Sequence, residues 1–139
     1  MGEETQQRIL LRFRQDPYAD LLGMELLEVR PGYSLMSMVV REDMVNFHGI
    51  PHGGAIFSLA DSAFAAASNS HGQTSVALNI EISYVRMVVP GTKLIAEATE
   101  EYLGKRTALY HITVSTDEGD LVASCHGVVY RKKEWFLEG

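Results

Sequence analysis

Residues 46–72 read NFHGIPHGGAIFSLADSAFAAASNSHG, and this stretch decides the fold. From Gly53 to about Ser70 it is rich in alanine, with Ile56, Phe57, Leu59 and Phe64 set among small residues. That composition predicts one long helix, and His71-Gly72 supplies its stop. Most faces of the helix are apolar or small, so it should be enclosed on several sides and not lie at a surface. Between Asp43 and Glu81 the single Asp, Glu, Lys or Arg is Asp61, in mid-helix. Carboxylates are rarely buried without partners, because desolvation costs several kcal/mol. Two readings of Asp61 stand: a wet edge with a backbone partner, or a carboxylate kept in an apolar cleft for chemistry.

The start of this helix is crowded with Asn46, His48, Gly49, His52, Gly53 and Gly54. Adjacent glycines at a helix start leave backbone N–H groups uncovered, and the helix dipole adds partial positive charge there. Such an end can bind an anion or a developing oxyanion; the same glycines also suit a loop needing permissive torsions. At about 1.5 Å per residue, Asp61 lies roughly 12 Å along the axis from Gly53. Both can act on one bond only if the substrate lies along the helix or a second subunit contributes. The second subunit is the better expectation.

Working outward, Ile9, Leu10 and Phe13 within 3–13 predict a short amphipathic helix ending before Asp16-Pro17. Residues 22–29 and 33–41 read as strands around the turn Pro31-Gly32, followed by an irregular stretch over 42–51. After the long helix the period becomes two. Val76, Leu78, Ile80, Ile82 and Tyr84 alternate with polar or small residues up to the break at Pro90-Gly91. Leu94, Ala96 and Ala98 mark the next strand, which ends at Gly104, and Tyr110, Ile112 and Val114 mark another. The turn Asp117-Glu118-Gly119-Asp120 then leads into a last strand over 121–131. The order is helix, two strands, long helix, then four strands expected as a meander. That is an α+β fold with one principal helix on an antiparallel sheet.

The 139 residues fit one domain, 1–139, with 1–21 as an N-terminal helical segment. Cys125 is the only cysteine, so an intrachain disulfide is excluded and a reducing, cytoplasmic setting is expected. No apolar run is long enough to span a membrane, and the acidic, polar residues 1–7 do not read as a signal peptide. A net charge of −6 argues against nucleic acid as partner but not against a small anion held by a local basic patch.

The segment from Asn46 to Gly72 resembles the PaaI-like acyl-CoA thioesterases of the hotdog fold. Their pattern of Asn, then His-Gly-Gly, then Asp on the central helix stands here as Asn46, His52-Gly53-Gly54 and Asp61. The resemblance continues through residues 82–86, Pro90-Gly91, Gly104-Lys105-Arg106 and the strand ending at Arg131. Met87 departs from it, where many relatives carry proline. The resemblance implies a long central helix wrapped by a curved antiparallel sheet. It also implies dimers joined sheet edge to sheet edge, often paired into tetramers.

The reaction so implied is hydrolysis of an acyl-CoA, of aryl or medium-chain type, to free acid and CoA. Asp61 of one subunit would act as general base or nucleophile, facing Asn46, His52 and Gly53 of the other. Gly53 N–H would polarise the carbonyl, Asn46 would position water or substrate, and His52 would hold the loop or assist polarisation. Gly54 joins the substrate-binding residues, and Lys105 and Arg106 are the expected CoA phosphate contacts, with Arg131, Lys132 and Lys133 next. No metal or redox cofactor is required.

Two alternatives accompany this reading. An enoyl-CoA hydratase of the same fold would need an Asp-His pair at the helix start, which is absent; a non-catalytic acyl-CoA-binding protein would need an output module. Other groups carry less. His48 and His52 are four apart, but Gly49 and Pro51 preclude a helix there, so they read as loop residues and not as metal ligands. Ser58, Ser62 and Ser68 lack a nucleophile elbow. Cys125 reads as inert core, and His111 and His126 as sheet residues. Met36, Met38 and Met87 read as ordinary apolar packing, with an acyl pocket as the alternative.

Overall fold

The computed structural model describes residues 2–137; Met1, Glu138 and Gly139 of the expected 1–139 domain lie outside the described residues. The elements are α1 (Glu3–Phe13), α2 (Pro17–Leu21), β1 (Glu25–Arg30), β2 (Tyr33–Val39), a 3-10 turn (Glu42–Met44), α3 (Gly53–Asn69), β3 (Gln73–Tyr84), β4 (Lys93–Leu103), β5 (Thr107–Thr116) and β6 (Leu121–Trp135). All six strands form one antiparallel sheet in the order β1-β2-β4-β5-β6-β3, and α3 packs against its inner face. This is the helix wrapped by a curved sheet that the family resemblance implies. No helix among the described residues is long and apolar enough to cross a membrane.

The helix lies close to the sheet because both surfaces are small. Ala60, Ala63 and Ala67 of α3 and Ala96, Ala98, Ala108 and Ala123 of the sheet are all fully buried. The larger side chains Leu59, Phe64, Ile112 and Val114 fill what remains. Gly127 of β6 is part of this fit: a Cβ there would lie 2.5 Å from the Phe64 ring. At the C-terminal end of α3, Gly72 turns the chain with φ of +92°, and the Trp135 ring occupies the space a Cβ would need.

Three features depart from the sequence reading. The last four strands are not a simple meander: β4, β5 and β6 are, but β3 pairs with β6 and forms an edge. Its alternation is genuine, yet period two reports which side faces the core and not which strand lies alongside. Residues 85–92 carry the chain from that edge to the middle of the sheet, where β4 sits between β2 and β5. Second, Asp16-Pro17 ends α1 but also begins α2, since Asp16 Oδ1 accepts the Ala19 N–H at 3.0 Å and Pro17 takes the first helical position. The first strand therefore begins at Glu25 and not at Leu22. Third, β6 runs beyond Arg131 to Trp135, held by Gln73 opposite Trp135.

Candidate active site

His52 is the N-cap of α3, and its imidazole Nδ1 accepts the Gly54 N–H at 2.9 Å. A neutral ring that accepts at Nδ1 carries its proton on Nε2. The backbone carbonyl of His52 accepts Ala55 N–H at 3.0 Å. Of the two glycines, Gly54 therefore spends its N–H inside the cap. The Gly53 N–H has no acceptor among the described residues, at the end of a 17-residue helix whose dipole favours negative charge. Tyr84, the last residue of β3, closes over this point. Its hydroxyl donates to the Gly53 carbonyl at 2.9 Å, and a Cβ at Gly53 would stand 3.2 Å from the phenol.

Asn46 builds the loop that leads into the cap. Its Oδ1 accepts the His48 N–H at 2.9 Å and the Ile50 N–H at 3.2 Å, while its own N–H donates to Ile50 O at 2.8 Å. An isolated bridge between Val45 and Pro51 fixes the two ends of this loop. The side-chain oxygen is thus committed to backbone, and the Nδ2 donors have no partner among the described residues. Asn46, His52, Gly53 and Gly54 are brought together as one framework. His48 and His52 are not: the His48 ring rests against Phe47, with centroids 4.0 Å apart, while the His52 ring is held in the cap.

Asp61 lies two turns farther along α3, half-buried, with no hydrogen bond or ion pair among the described residues. Burial pushes its carboxyl above the ordinary carboxylate range. Ser58, three residues earlier on the helix, is already engaged. Its Oγ donates to Gly54 O at 2.8 Å and lies 2.9 Å from the Tyr18 hydroxyl of α2. Beyond Ser62, an apolar cavity of about 190 Å³ opens between α3, α2 and the β1–β2 hairpin, lined by Phe13, Ala19, Leu26, Met36, Ala65 and Ala66 among others. Met36 borders this cavity and Met38 is core, whereas Met87 is 72% exposed.

Lys105 and Arg106 stand far from this framework within one chain. They share a cleft of about 610 Å³ with Gln73, Tyr130, Arg131 and Lys133, beside the start of β3. Eleven residue steps of strand, about 36 Å, separate that end from Tyr84 at the other. Lys105 and Arg106 thus form one cluster with Arg131 and Lys133, whereas Lys132 does not line the cleft. Arg131 is its brace: Nη1 donates to Gly104 O at 2.7 Å, Nη2 donates to Gln73 Oε1, and Arg131 N–H donates to Arg106 O at 2.6 Å. Lys105 and Arg106 remain exposed.

Tyr84, Tyr18 and Gln73 are the positions that sequence reasoning missed. Tyr84 had a visible signal, a hydroxyl closing an otherwise aliphatic run next to the Pro90-Gly91 break; the other two had none. Cys125 is fully buried, its thiol pushed up to about 11 by burial, as expected of inert core.

Residues 48–123 match the model of the thioesterase superfamily. The chain is 34% identical over 131 residues to acyl-coenzyme A thioesterase PaaI of Escherichia coli, covering 94% of each protein. The structure of E. coli PaaI, from the phenylacetic acid degradation operon, superposes with a TM-score of 0.89 over 94% of this chain and 95% of that one. A mutant structure of the phenylacetic acid degradation protein PaaI from Thermus thermophilus is 41% identical. It superposes with a TM-score of 0.81 over 84% of this chain and all of that one.

Proposed function

This chain belongs to the thioesterase superfamily as a PaaI-like hotdog hydrolase, and from that premise we propose that it cleaves acyl-CoA at a site shared by two copies, with Asp61 as the catalytic carboxylate. The observation that carries the assignment is a pair of groups on α3 without partners among the described residues, Gly53 N–H and the Asp61 carboxylate. One is a donor aimed outward at the positive end of a helix, suited to a thioester oxygen that becomes anionic. The other is a carboxylate made more basic by burial, suited to take a proton from water or to attack the carbonyl itself. In either route the C–S bond breaks, CoA leaves as the thiol, and water supplies the acid's second oxygen. Asn46 Nδ2 offers donors to that water or to the acyl oxygen, and His52 keeps Gly53 presented by locking the turn behind it.

The separation of Gly53 and Asp61 along one helix calls for the second copy. The outer edge of β3 is unpaired, and Leu78, Tyr84, Val85 and Met87 on or just after it are 60%, 49%, 59% and 72% exposed. Apolar edges of this kind are normally covered. Two β3 edges pairing antiparallel would set the Tyr84 end of one chain beside the Ser75 end of the other. That brings Lys105 and Arg106 of the second chain toward Gly53 of the first, where they can hold the phosphates of CoA.

The test is release of free thiol from phenylacetyl-CoA and from medium-chain acyl-CoAs, followed with a thiol-reactive dye. Turnover on at least one of them is expected. Tight binding without release would leave an acyl-CoA-binding protein; with an enoyl-CoA as a further substrate, loss of its chromophore without thiol release would make it a hydratase.

A further inference from the structure

The outer face of the sheet, opposite α3, carries a cluster that the thioesterase chemistry does not use. His111 of β5 and His126 of β6 are direct partners in the antiparallel ladder. Their rings lie 4.6 Å apart and within 8° of parallel. The adjacent strand β4 bulges between Glu100 and Tyr102, so Glu101 has no partner on β5. One ligating atom from each of Glu101, His111 and His126 falls within 4.8 Å of the other two. A tetrahedral ion about 2.1 Å from each ligand would hold them about 3.4 Å apart, so binding requires the two stacked rings to turn out of parallel until their nitrogens converge with the carboxylate.

The surroundings favour a cation. Glu81 of β3 stands opposite His126 in the ladder, and Glu97 lies two register rows from Thr99, the partner of His111. Residues 73–84, 94–103, 107–116 and 121–130 contain no Lys or Arg. Ser124 Oγ lies 3.1 Å from His111 Nε2. An imidazole held through one nitrogen by such a contact presents the other to a metal, the usual outer-sphere arrangement at His sites. The helix, the cap and Asp61 are all on the other side of the sheet.

We propose that Glu101, His111 and His126 form a binding site for a divalent transition-metal ion of the zinc class, clamping β4, β5 and β6 across the outer face. Two imidazoles and one carboxylate suit Zn²⁺, Ni²⁺ or Cu²⁺ and not Mg²⁺ or Ca²⁺, which take oxygen ligands. Solvent completes the coordination. The ion takes no part in thioester hydrolysis, and its effect is on the cohesion of the sheet.

The probe is Zn²⁺ titrated calorimetrically into chelator-treated, tag-free protein, with thermal melts alongside. One Zn²⁺ per chain and a raised Tm are expected. His111→Ala and His126→Ala should each weaken binding at least about tenfold and abolish the Tm rise. Glu101→Gln, at an exposed bulge where folding is not at stake, should weaken it as well, and His48→Ala should leave it unchanged. Thiol release by metal-free His126→Ala should equal that of the wild type. Absence of saturable 1:1 binding, or binding that survives the His111→Ala and His126→Ala changes together, would overturn the site.

Discussion

The two ends of α3 treat their polar groups in opposite ways. At the C-terminal end Ser70, Asn69 and His71 are engaged, and Ser75 Oγ is the one side-chain group of that turn buried without a partner among the described residues. Ser70 Oγ donates to Ala67 O at 2.6 Å and accepts the Gly32 N–H at 2.7 Å. Asn69 bonds the carbonyls of Ala65 and Ser75 and accepts the Ser75 N–H. Glu100 Oε1 accepts the Tyr110 hydroxyl at 2.6 Å and lies 2.8 Å from His71 Nε2; burial and then the carboxylate push the Tyr110 phenol far up. At the other end and in the middle, Gly53 N–H, Asn46 Nδ2 and the Asp61 carboxylate have no partner among the described residues. The first end serves as an anchor; the open groups of the second are the ones we propose for substrate.

The largest effect that can break this contrast is on turnover. Asp61→Asn should lower kcat at least roughly 100-fold with the fold intact, the smaller end of what a general base contributes. It should also raise Tm at neutral pH. Burial raises the folded pKa of Asp61, so ionisation costs stability: the cost is absent below the ordinary carboxylate pKa of about 3.9 and present in full above the raised folded value. The gain in Tm should therefore vanish near pH 3. By the same shift, the acid limb of the rate profile should lie above the ordinary carboxylate range. A folded Asp61→Asn enzyme with near wild-type turnover would remove Asp61 from the site.

A smaller effect is expected at the basic cleft. Lys105→Ala with Arg106→Ala should raise KM for acyl-CoA about tenfold, roughly 1.4 kcal/mol, and weaken its salt dependence. Hydrolysis of a short thioester lacking the nucleotide should hardly change, because the carbonyl chemistry is intact. An unchanged KM would move the phosphates elsewhere. Arg131 is a poor substitute, since it braces Gly104 and Gln73 and its loss should show first as lower stability.

The anchor end sharpens the contrast from the other side. Ser70→Ala strips the buried Gly32 N–H of its acceptor and should cost about 1–3 kcal/mol in stability. Its kcat, measured well below the lowered Tm, should match the wild type. A change in kcat there would mean that the two ends are not independent.

What the sequence made legible follows from which information is local. Alanine content and the His71-Gly72 stop define α3 to within a residue, because helix propensity and capping are decided over a few positions. The alternation in 94–98 and 110–114 marks the buried faces of β4 and β5 correctly, since those strands sit mid-sheet with one face against α3. The same reading fails at β3. Leu78 belongs to the apolar register there yet is 60% exposed, because a bulge between Ala77 and Asn79 shifts the face. The pairing of β3 with β6 is non-local and leaves no mark in either segment.

The candidate site divides in the same way. The helix start at Gly53 and the isolated charge at Asp61 are visible in the sequence, whereas the capping role of His52 is not. The assignment of Gly54 N–H to His52 Nδ1, leaving Gly53 as the open donor, depends on a ring orientation that no spacing encodes. Arg131 with Lys105, and His111 with His126, meet only once the β5–β6 register is set.

The central claim is that one site is built from two chains, and subunit mixing tests it most directly. Asn46→Ala and Asp61→Ala proteins, each inactive, are combined under conditions where exchange of chains is verified, and thiol release is measured. Random reassortment makes half the dimers mixed, and each mixed dimer carries one intact site of two, so recovery of about one quarter of wild-type activity is expected. No recovery after verified exchange would show that Asn46 and Asp61 serve the same chain's site, contradicting the account.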